Sequence, residues 1–340
     1  MENQKEREYI GHASQVRRIE EHILKGGKGE GMRLLELNNG SGLEFTVSLD
    51  RCADLSRLSF RGVNFGFFSP CGYVAPQYFD SEGLGFLKSF TAGFMTTCGL
   101  TAVGSPCEDD GERLPLHGRI SHTPAENVRF WTDGEGQHIA AEMRESRLFG
   151  DQLLLSRRMD CPVGENCIII SDTVVNEGCR TSPLMLLYHC NLGFPLLTEE
   201  AQLFLPSAHV EARDERAVED LDTWQQILPP QEGFVEQCYY HSLKNGDSGT
   251  FAAVYNPAAG AGVALEFDTR ELDYFTQWKM MGKGEYVLGL EPGNCNADGR
   301  AEARRRGTLR MLAPGEEKKF QLRIRVIENQ EQARKYCARL

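Results

Sequence analysis

Short apolar runs broken by turn residues recur along the whole chain, and this rhythm limits the fold more than any other feature. In several runs apolar and polar residues alternate, which places one face of a β-strand in a core and the other in solvent. Strands at such regular spacing are typical of all-β sandwiches and barrels. The predicted strands cover residues 34–37, 43–47, 138–144, 152–159, 167–175, 251–255, 262–267, 274–280, 286–290, 307–312 and 319–327.

Helical signal is scarce in the sequence. Residues 15–24 fit either a short helix or a strand, and the charged segment 329–340 predicts a terminal helix. The sequence has no Pro/Ser-rich linker, no low-complexity segment and no tandem repeat. We therefore predict one large domain over residues 1–340.

Composition and charge exclude several classes of function. Hydrophobic residues make up 41% and charged residues 25% of the chain, values typical of a soluble globular protein. The net charge of −12 argues against a nucleic-acid-binding surface and against binding to anionic membranes. No apolar run is long enough to cross a bilayer, and residues 1–8 lack the apolar core of a signal peptide. A cytoplasmic location is the expectation.

The 11 cysteines include no C-x-x-C pair. Disulfide frameworks belong to secreted proteins, and zinc sites usually show closely paired ligands. The cysteines are therefore predicted to be reduced and mostly buried, and no metal site is expected.

Glu291 is the strongest candidate for chemistry. It ends the apolar run 286–290 and is followed at once by Pro292 and Gly293. A carboxylate buried without a partner is costly, but one in a half-buried mouth can have its pKa moved towards neutrality and act as a general base. The alternative is a Glu at a strand end that faces solvent.

Two histidines could accompany this carboxylate. His117 precedes Gly118 and Arg119, a sequence that can present an imidazole to a cleft beside a planar guanidinium. A turn in which His117 caps a carbonyl is the alternative. His189 ends a fully apolar run and has the side chain best suited to donate a proton near neutral pH, although a lone His there is more often a core residue.

The aromatic-rich run 273–282 is a candidate for holding a sugar ring. Alternation places Trp278 on one face of a strand with Thr276, and Lys279 on the other face with Gln277. A Trp beside hydrogen-bonding side chains can bind the C–H face of a sugar. A core strand with a capped edge is the alternative.

With these segments identified, the chain resembles aldose 1-epimerases of the galactose mutarotase-like superfamily, and specifically an uncharacterised bacterial branch of it. The resemblance extends over nearly the whole chain. It rests on the phrases at residues 9–15, 50–54, 96–100, 116–121, 278–282 and 289–294.

The resemblance implies a large antiparallel β-sandwich with few short helices, whose concave face binds a monosaccharide without a metal or cofactor. In mutarotases a late Glu removes the anomeric hydroxyl proton and a mid-chain His protonates the ring oxygen. By position and flanking residues Glu291 resembles that base, His189 that acid and His117 the sugar-binding histidine. The other substrate-binding residues predicted are Arg119, Trp278, Lys279 and Asn294.

The sequence also departs from typical mutarotases. Their G-R-x-A-N-R motif is missing, residues 93–100 take its place, and Arg119 is the candidate to supply the guanidinium. Two other functions therefore stay open. One is a carbohydrate-binding protein without turnover. The other is an epimerase or lyase for an oxidised or acidic sugar, in which Arg119 and Lys279 would contact a carboxylate or stabilise an enolate.

Overall fold

Three antiparallel β-sheets form the body of the protein in the computed structural model, which describes residues 8–246 and 249–340. The strands are β1 Arg18–Ile23, β2 Arg33–Asn38, β3 Leu43–Ser48, β4 Asp54–Phe60, β5 Val63–Asn64, β6 Phe67–Phe68, β7 Ala92–Gly93, β8 Met95–Leu100, β9 Cys107–Asp109, β10 Glu112–Leu114, β11 Glu126–Thr132, β12 Gly136–Ser146, β13 Gln152–Pro162, β14 Cys167–Asn176, β15 Ser182–Pro183, β16 Met185–Leu192, β17 Gln202–Phe204, β18 Ser207–Ala212, β19 Gln237–Leu243, β20 Thr250–Asn256, β21 Ala261–Phe267, β22 Tyr274–Gly282, β23 Glu285–Gly293, β24 Met311–Leu312 and β25 Glu317–Ile327.

The sheets differ in size and strand order. Strands β1 to β5 form a five-stranded sheet in sequence order. The largest sheet has eight strands in the order β11-β12-β13-β14-β25-β21-β20-β17, and a six-stranded sheet has the order β18-β19-β22-β23-β16-β8. The largest apolar cluster takes buried side chains from all three sheets, among them Leu55, Met159 and Leu186. The all-β prediction is therefore confirmed, and the core lies between the sheets.

The helical segments are short: α1 Glu215–Val218, α2 Arg300–Arg305 and α3 Gln330–Cys337. The predicted terminal helix is confirmed as α3, whose first turn is capped by Asn329 through its side-chain oxygen. Residues 15–24, for which the sequence allowed helix or strand, form mostly strand β1.

The predicted strand 307–312 is largely wrong. Only Met311 and Leu312 pair, with Ser182–Pro183. Residues 307–310 instead lead away from the end of α2, which is marked by Gly307 with φ +70° and an N–H that donates to Arg304 O. A glycine in this left-handed conformation is a common helix terminator, and the chain needs several residues to leave it.

Other predictions concern the membrane, the N-terminus and the cysteines. Among residues 8–246 and 249–340 no helix is both long and apolar enough to span a bilayer. The N-terminal residues 1–7 lie outside the described residues. Every cysteine is a free thiol, and seven are buried, as predicted for most of them: Cys52, Cys98, Cys161, Cys167, Cys190, Cys238 and Cys295.

The centre of the six-stranded sheet positions the residues of most interest. Strand β23 lies between β22 and β16, with Trp278 opposite Gly289, Thr276 opposite Glu291 and Cys190 opposite Leu290. Because side chains alternate along a strand, Leu288 and Leu290 enter the apolar core while Glu291 points to the other side. That side carries a cavity.

Candidate functional site

A cavity of ≈ 280 Å³ lies against the face of the six-stranded sheet that points away from the core. Its volume suits a ligand of about one sugar ring. One part of its lining is polar and the other is apolar. The polar part consists of Ser105, His117, His189, Arg213, Glu236, Cys238, Thr276, Trp278 and Glu291. The apolar part includes Leu84, Phe86, Leu87, Phe90 and Leu116.

His189 and Glu291 meet at the floor of this cavity from neighbouring strands. The Nε2 atom of His189 lies 3.2 Å from Oε1 of Glu291, and both side chains are buried. The two atoms are in contact, but Oε1 lacks the alignment of a hydrogen bond with any described residue. A buried carboxyl and imidazole at this distance can exchange a proton with each other or with a bound ligand.

Gly289 gives this pair its space. A Cβ atom at Gly289 would lie 2.5 Å from Oε1 of Glu291 and 2.9 Å from Cβ of Trp278. Any side chain there would displace the carboxyl or the indole. The strand therefore needs glycine opposite Trp278 for the site to form.

His117 reaches the cavity from a loop beside β8. Its ring lies 5.4 Å from the ring of His189, edge to face. His117 has φ +58°, a left-handed conformation that is uncommon for a non-glycine residue and often marks a functional site. The conformation is fixed by two backbone hydrogen bonds, from His117 N to Gly104 O (2.8 Å) and from Gly99 N to His117 O (3.2 Å).

Trp278 forms a side of the cavity next to the pair. Its ring centroid lies 5.4 Å from that of His189 with the planes at 73°. Its Nε1 donates to Oε2 of Glu236 at 2.8 Å, which fixes the indole. The ring is thus held beside the imidazole, and its role in binding a sugar stays a prediction.

Arg213 supplies the guanidinium of the cavity. Its Nη2 donates to Oγ of Ser105 at 2.9 Å, and its Nη1 contacts Sγ of Cys238 at 3.6 Å. The nearest carboxylate oxygen, Oδ1 of Asp298, lies 3.7 Å from Nε. The positive charge of Arg213 is therefore held beside the cavity by weak partners.

Several buried polar atoms of the lining make no hydrogen bond to any residue that the structure describes. They are Nδ1 of His117, Nδ1 of His189, Oγ1 of Thr276 and Oε1 of Glu291. Buried polar groups are almost always hydrogen-bonded in folded proteins, so several orphans around one cavity need an explanation. A polar ligand with several hydroxyl groups would satisfy them.

Burial displaces the pKa values of the site residues in opposite directions. It raises the pKa of Glu291 to about 8, although Arg213 acts against this shift. It lowers the pKa of His189 to about 4. Burial also lowers the pKa of His117 well below its usual range, and the neighbouring His189 and Arg213 act in the same direction. A carboxyl that titrates near neutral pH beside a neutral imidazole is suited to proton transfer.

The structure does not bring three predicted site residues to this cavity. Arg119 donates to Oε1 of Glu112 (3.2 Å) and to the carbonyl of Arg113 (3.1 Å). Gly118, next to it, packs on backbone rather than on a ligand, because a Cβ there would lie 2.3 Å from Gly99 O and Ala102 O. Because the backbone turns in a left-handed conformation at His117 and Gly118, the side chain of His117 lines the cavity while that of Arg119 lies against Glu112.

Lys279 and Asn294 are the other two. Lys279 is buried on the opposite face of β22 from Trp278, as strand alternation requires. Asn294 follows Glu291 in sequence, but its side chain accepts from Leu186 N (2.7 Å) and donates to Leu184 O (3.2 Å). It therefore ties the end of β23 to β16 and does not reach the cavity.

Arg213, Phe86 and Phe90 line the cavity but were not predicted as site residues. Arg213 stands in an ordinary charged stretch after β18, and only the packing of β18 on β19 brings it to the cavity. Phe86 and Phe90 belong to a Gly- and Phe-containing loop whose apolar character was a usable signal. Thr276 could be anticipated, because alternation places it on the face of Trp278.

Comparisons with known proteins bear on this arrangement. A family model described as Domain of unknown function (DUF4432) matches residues 29–326. A crystal structure from Klebsiella pneumoniae, of a protein proposed to be an aldose 1-epimerase, superposes with a TM-score of 0.90 at 29% identity, over 94% of this chain and 86% of that one. No curated protein matches the chain by sequence.

More distant structures share the fold. A galactose mutarotase-like protein from Clostridium acetobutylicum has a TM-score of 0.64 at 15% identity, over 92% of this chain and 99% of that one. The galactose 1-epimerase of Lactobacillus acidophilus has a TM-score of 0.60 at 13% identity, over 92% and 100%. The predicted galactose mutarotase-like β-sandwich is thereby confirmed.

Proposed function

The chain belongs to the DUF4432 family, and from the pairing of Glu291 with His189 we propose that it interconverts the anomers of an aldose or a modified monosaccharide. The observation that carries the proposal is the 3.2 Å contact between a carboxyl and an imidazole whose pKa values burial displaces in opposite directions. Anomer interconversion needs an acid and a base around one hemiacetal carbon. The relatives named as 1-epimerases and mutarotase-like proteins support this reaction class.

In the proposed reaction Glu291 takes the proton of the anomeric hydroxyl while His189 gives a proton to the ring oxygen. The bond from C1 to the ring oxygen breaks, and its electron pair stays on that oxygen as C1 becomes an aldehyde. Rotation about the C1–C2 bond presents the other face of the aldehyde. The two proton transfers then reverse and close the ring as the other anomer.

The protonation of the pair agrees with this cycle. Between the pKa of His189 near 4 and that of Glu291 near 8, the two side chains together carry one proton. The proton on His189 gives the form that opens the ring, and the proton on Glu291 gives the form that closes it. The two forms differ only by movement of one proton between the members of the pair, directly or through the sugar. Burial favours the form with both groups neutral, and a bound sugar that donates to Glu291 would favour the other.

The remaining lining residues are proposed to hold the sugar. Trp278 would face its C–H surface, while His117, Thr276 and Arg213 would contact its hydroxyl groups. The apolar side of the cavity, with Phe86 and Phe90, would cover the less polar face of the ring and exclude water.

A second candidate function is favoured by Arg213. Its guanidinium lines the cavity, and its nearest carboxylate, that of Asp298 at 3.7 Å, also pairs with Arg306 and accepts from Tyr240 OH. A substrate carboxylate would complete the pairing. The protein would then be an epimerase or lyase for an oxidised or acidic sugar, with Glu291 removing a carbon-bound proton and Arg213 taking the role predicted above for Arg119 and Lys279.

The test is an NMR experiment on neutral sugars, sugar acids and sugar phosphates that reads binding by saturation transfer and anomer exchange in one sample. We expect the wild type to accelerate anomer exchange of at least one neutral aldose and His189→Gln to lose roughly 10²–10⁴-fold of the rate while binding persists. Binding without acceleration would identify a carbohydrate-binding protein. Exchange of a carbon-bound proton with D₂O, only with sugar acids, would favour the second candidate.

A further inference from the structure

The apolar side of the cavity comes from one long loop, residues 69–91, called here the wall loop. It connects β6 to β7, and its ends are joined by the hydrogen bond from Ser69 N to Thr91 O (3.0 Å). Between its ends it contains only two short 3₁₀ turns, yet it carries Phe86 and Phe90 to the histidines of the site. A loop of this kind depends on side-chain contacts for its position.

A buried arginine makes those contacts. The guanidinium of Arg51 donates through Nη1 to Val74 O (2.8 Å) and to Ser89 O (3.0 Å), so it joins two distant points of the wall loop. Its Nε donates to Ser121 O at 2.7 Å, outside the loop. Among the described residues these hydrogen bonds go to backbone carbonyls rather than to a carboxylate. A buried guanidinium used in this way fixes backbone geometry.

His122 completes the contact from the same side. Because a guanidinium can only donate, Nε2 of His122 accepts from Nη2 of Arg51 (3.0 Å) and carries no proton. The proton then lies on Nδ1, which donates to Oγ of Ser121 (3.0 Å). Burial, together with Arg51, lowers the pKa of His122 to about 2, so the ring stays neutral. Nε2 also contacts Oγ of Ser89 in the wall loop (2.9 Å).

A continuous series of ring contacts leads from His122 to the site. The His122 ring stacks on Phe79 with centroids 3.9 Å apart and meets Phe86 edge to face at 5.5 Å. Phe86 in turn lies 5.3 Å from His117. Phe90, four residues along the wall loop, meets His189 edge to face at 5.5 Å.

These contacts matter because the site histidines lack the usual means of orientation. An imidazole in an active site is commonly oriented by a hydrogen bond to its second nitrogen. Within residues 8–246 and 249–340, Nδ1 of His117 and Nδ1 of His189 have no such partner. Packing against aromatic rings is what remains to fix the angle of each ring.

We propose that Arg51 and His122 are positioning residues that lock the wall loop and, through Phe86 and Phe90, hold the imidazoles of His117 and His189 at their working angles. This assigns a task to Arg51, the arginine of the segment at residues 50–54, which the catalytic proposal leaves unused. The consequence for turnover rests on the proposed function. The consequence for loop order and ring orientation does not.

The main variant is Arg51→Lys, which keeps a positive charge but loses the planar fork that reaches Val74, Ser89 and Ser121 together. We expect amide exchange, followed by mass spectrometry, to become at least roughly tenfold faster in peptides from residues 69–91. The matched control is Arg33→Lys. Arg33 is a nearby arginine whose side chain donates to Asp50 and to Ala125 O, both outside the wall loop.

A second measurement follows the histidine rings directly through their side-chain ¹⁵N signals. We expect the signals of His117 and His189 to shift or broaden in Arg51→Lys and to stay as in the wild type in Arg33→Lys. Unchanged wall-loop exchange or unchanged ring signals in Arg51→Lys would overturn the proposal, as would equal effects from both variants. Neither readout needs an active enzyme, so a wild type without anomer exchange would reject only the proposed function.

Phe86→Leu separates the rings from the lock and serves if Arg51→Lys does not fold. It leaves the hydrogen bonds of Arg51 in place and removes the ring between His122 and His117. We expect altered His117 signals, near-normal exchange at the Arg51 contacts, and a loss of roughly 10–10²-fold in kcat with a smaller change in KM. Unaltered His117 signals in this variant would overturn the proposal.

Discussion

Tyr188 and His189 are neighbours on β16, both are buried, and their side chains enter two different polar clusters on opposite faces of one sheet. The core cluster consists of Asp54, Arg157, Asp172 and Tyr188, together with Thr97. The cavity cluster consists of His117, His189, Thr276 and Glu291. Apart from His117, which is partly buried, the residues of both clusters are buried, whereas the completeness of their hydrogen bonds differs.

In the core cluster the acceptors and donors match. Arg157 donates to both oxygens of Asp172 (2.9 and 2.7 Å) and to Oδ1 of Asp54 (2.7 Å). Tyr188 OH donates to Oδ2 of Asp172 at 2.8 Å, and Thr97 donates to Asp54 through both its N–H and its hydroxyl. A buried ionic network satisfied to this degree stabilises one arrangement of the core and offers nothing to a ligand.

In the cavity cluster four polar atoms have no partner among the described residues. Such groups cost free energy in the folded protein unless something binds to them. Single unsatisfied atoms also occur away from the cavity. They belong to Ser48, Gln137, Asn191, Gln237, Tyr239 and Thr250. The comparison therefore teaches that several unsatisfied polar atoms around one cavity, rather than buried polar groups in general, point to the site. This difference can be tested from both sides, since changes in one cluster should affect function and changes in the other should affect stability.

The largest expected effect comes from Glu291→Gln. Glutamine keeps the size of the side chain but cannot exchange a proton, so anomer exchange should fall by roughly 10²–10⁴-fold. The free energy of unfolding at pH 7 should rise rather than fall, because burial raises the pKa of Glu291 to about 8 and folding must then take up a proton that the unfolded carboxyl does not hold, a cost that glutamine avoids. NMR exchange rates and urea unfolding measure the two quantities. Full activity in this variant would contradict the assignment of the base.

Arg157→Met should have the opposite profile. It leaves two buried carboxylates without their cation and is expected to lower the free energy of unfolding by about 3–5 kcal/mol. The matched variant Arg213→Met changes an arginine that is about one-quarter exposed at the cavity, and we expect less than about 1 kcal/mol there. Urea unfolding of both variants measures the difference. Equal losses would show that the two clusters are alike in their contribution to stability.

The fold could be predicted from the sequence because its strands alternate so regularly. In β13, for example, buried Leu153, Leu155, Arg157 and Met159 alternate with less buried residues. Even here the pattern did not reveal that Arg157 faces the core, since an arginine at an inward position reads as polar. Only the partners on β4 and β14 explain why it is buried.

The site could be predicted where chemistry and strand position coincided. Glu291, His189 and Trp278 lie on adjacent strands of one sheet. Each was predicted from its own motif, and the fold places the three residues together. Arg119 was wrongly placed because proximity in sequence to His117 was taken for proximity in space. Arg213 could not be found at all, because only the tertiary packing of β18 relates it to the cavity.

The pH dependence sharpens the comparison by locating the proton of the cavity cluster. The pair carries one proton between the pKa of His189 near 4 and that of Glu291 near 8. Above that pH range Glu291 loses the proton of the pair, and below it His189 takes up a further proton. The plot of kcat/KM against pH should therefore be bell-shaped, with a fall of roughly tenfold per pH unit outside the range. Initial rates of anomer exchange, measured from about pH 3 to about pH 10, would give this profile. A flat profile through the upper limb would contradict the role of Glu291.

The smallest expected effects come from removing one hydroxyl in each cluster. Tyr188→Phe deletes a hydrogen bond to Asp172, which keeps both bonds from Arg157, and should lower the free energy of unfolding by about 1 kcal/mol. Thr276→Val deletes a hydroxyl without a partner among the described residues and should cost nothing in stability, while KM for the sugar rises. Urea unfolding and steady-state kinetics separate these outcomes. If Thr276→Val were as destabilising as Tyr188→Phe, its hydroxyl would have a partner in solution, and the unsatisfied state of the cavity cluster would no longer distinguish it from the core.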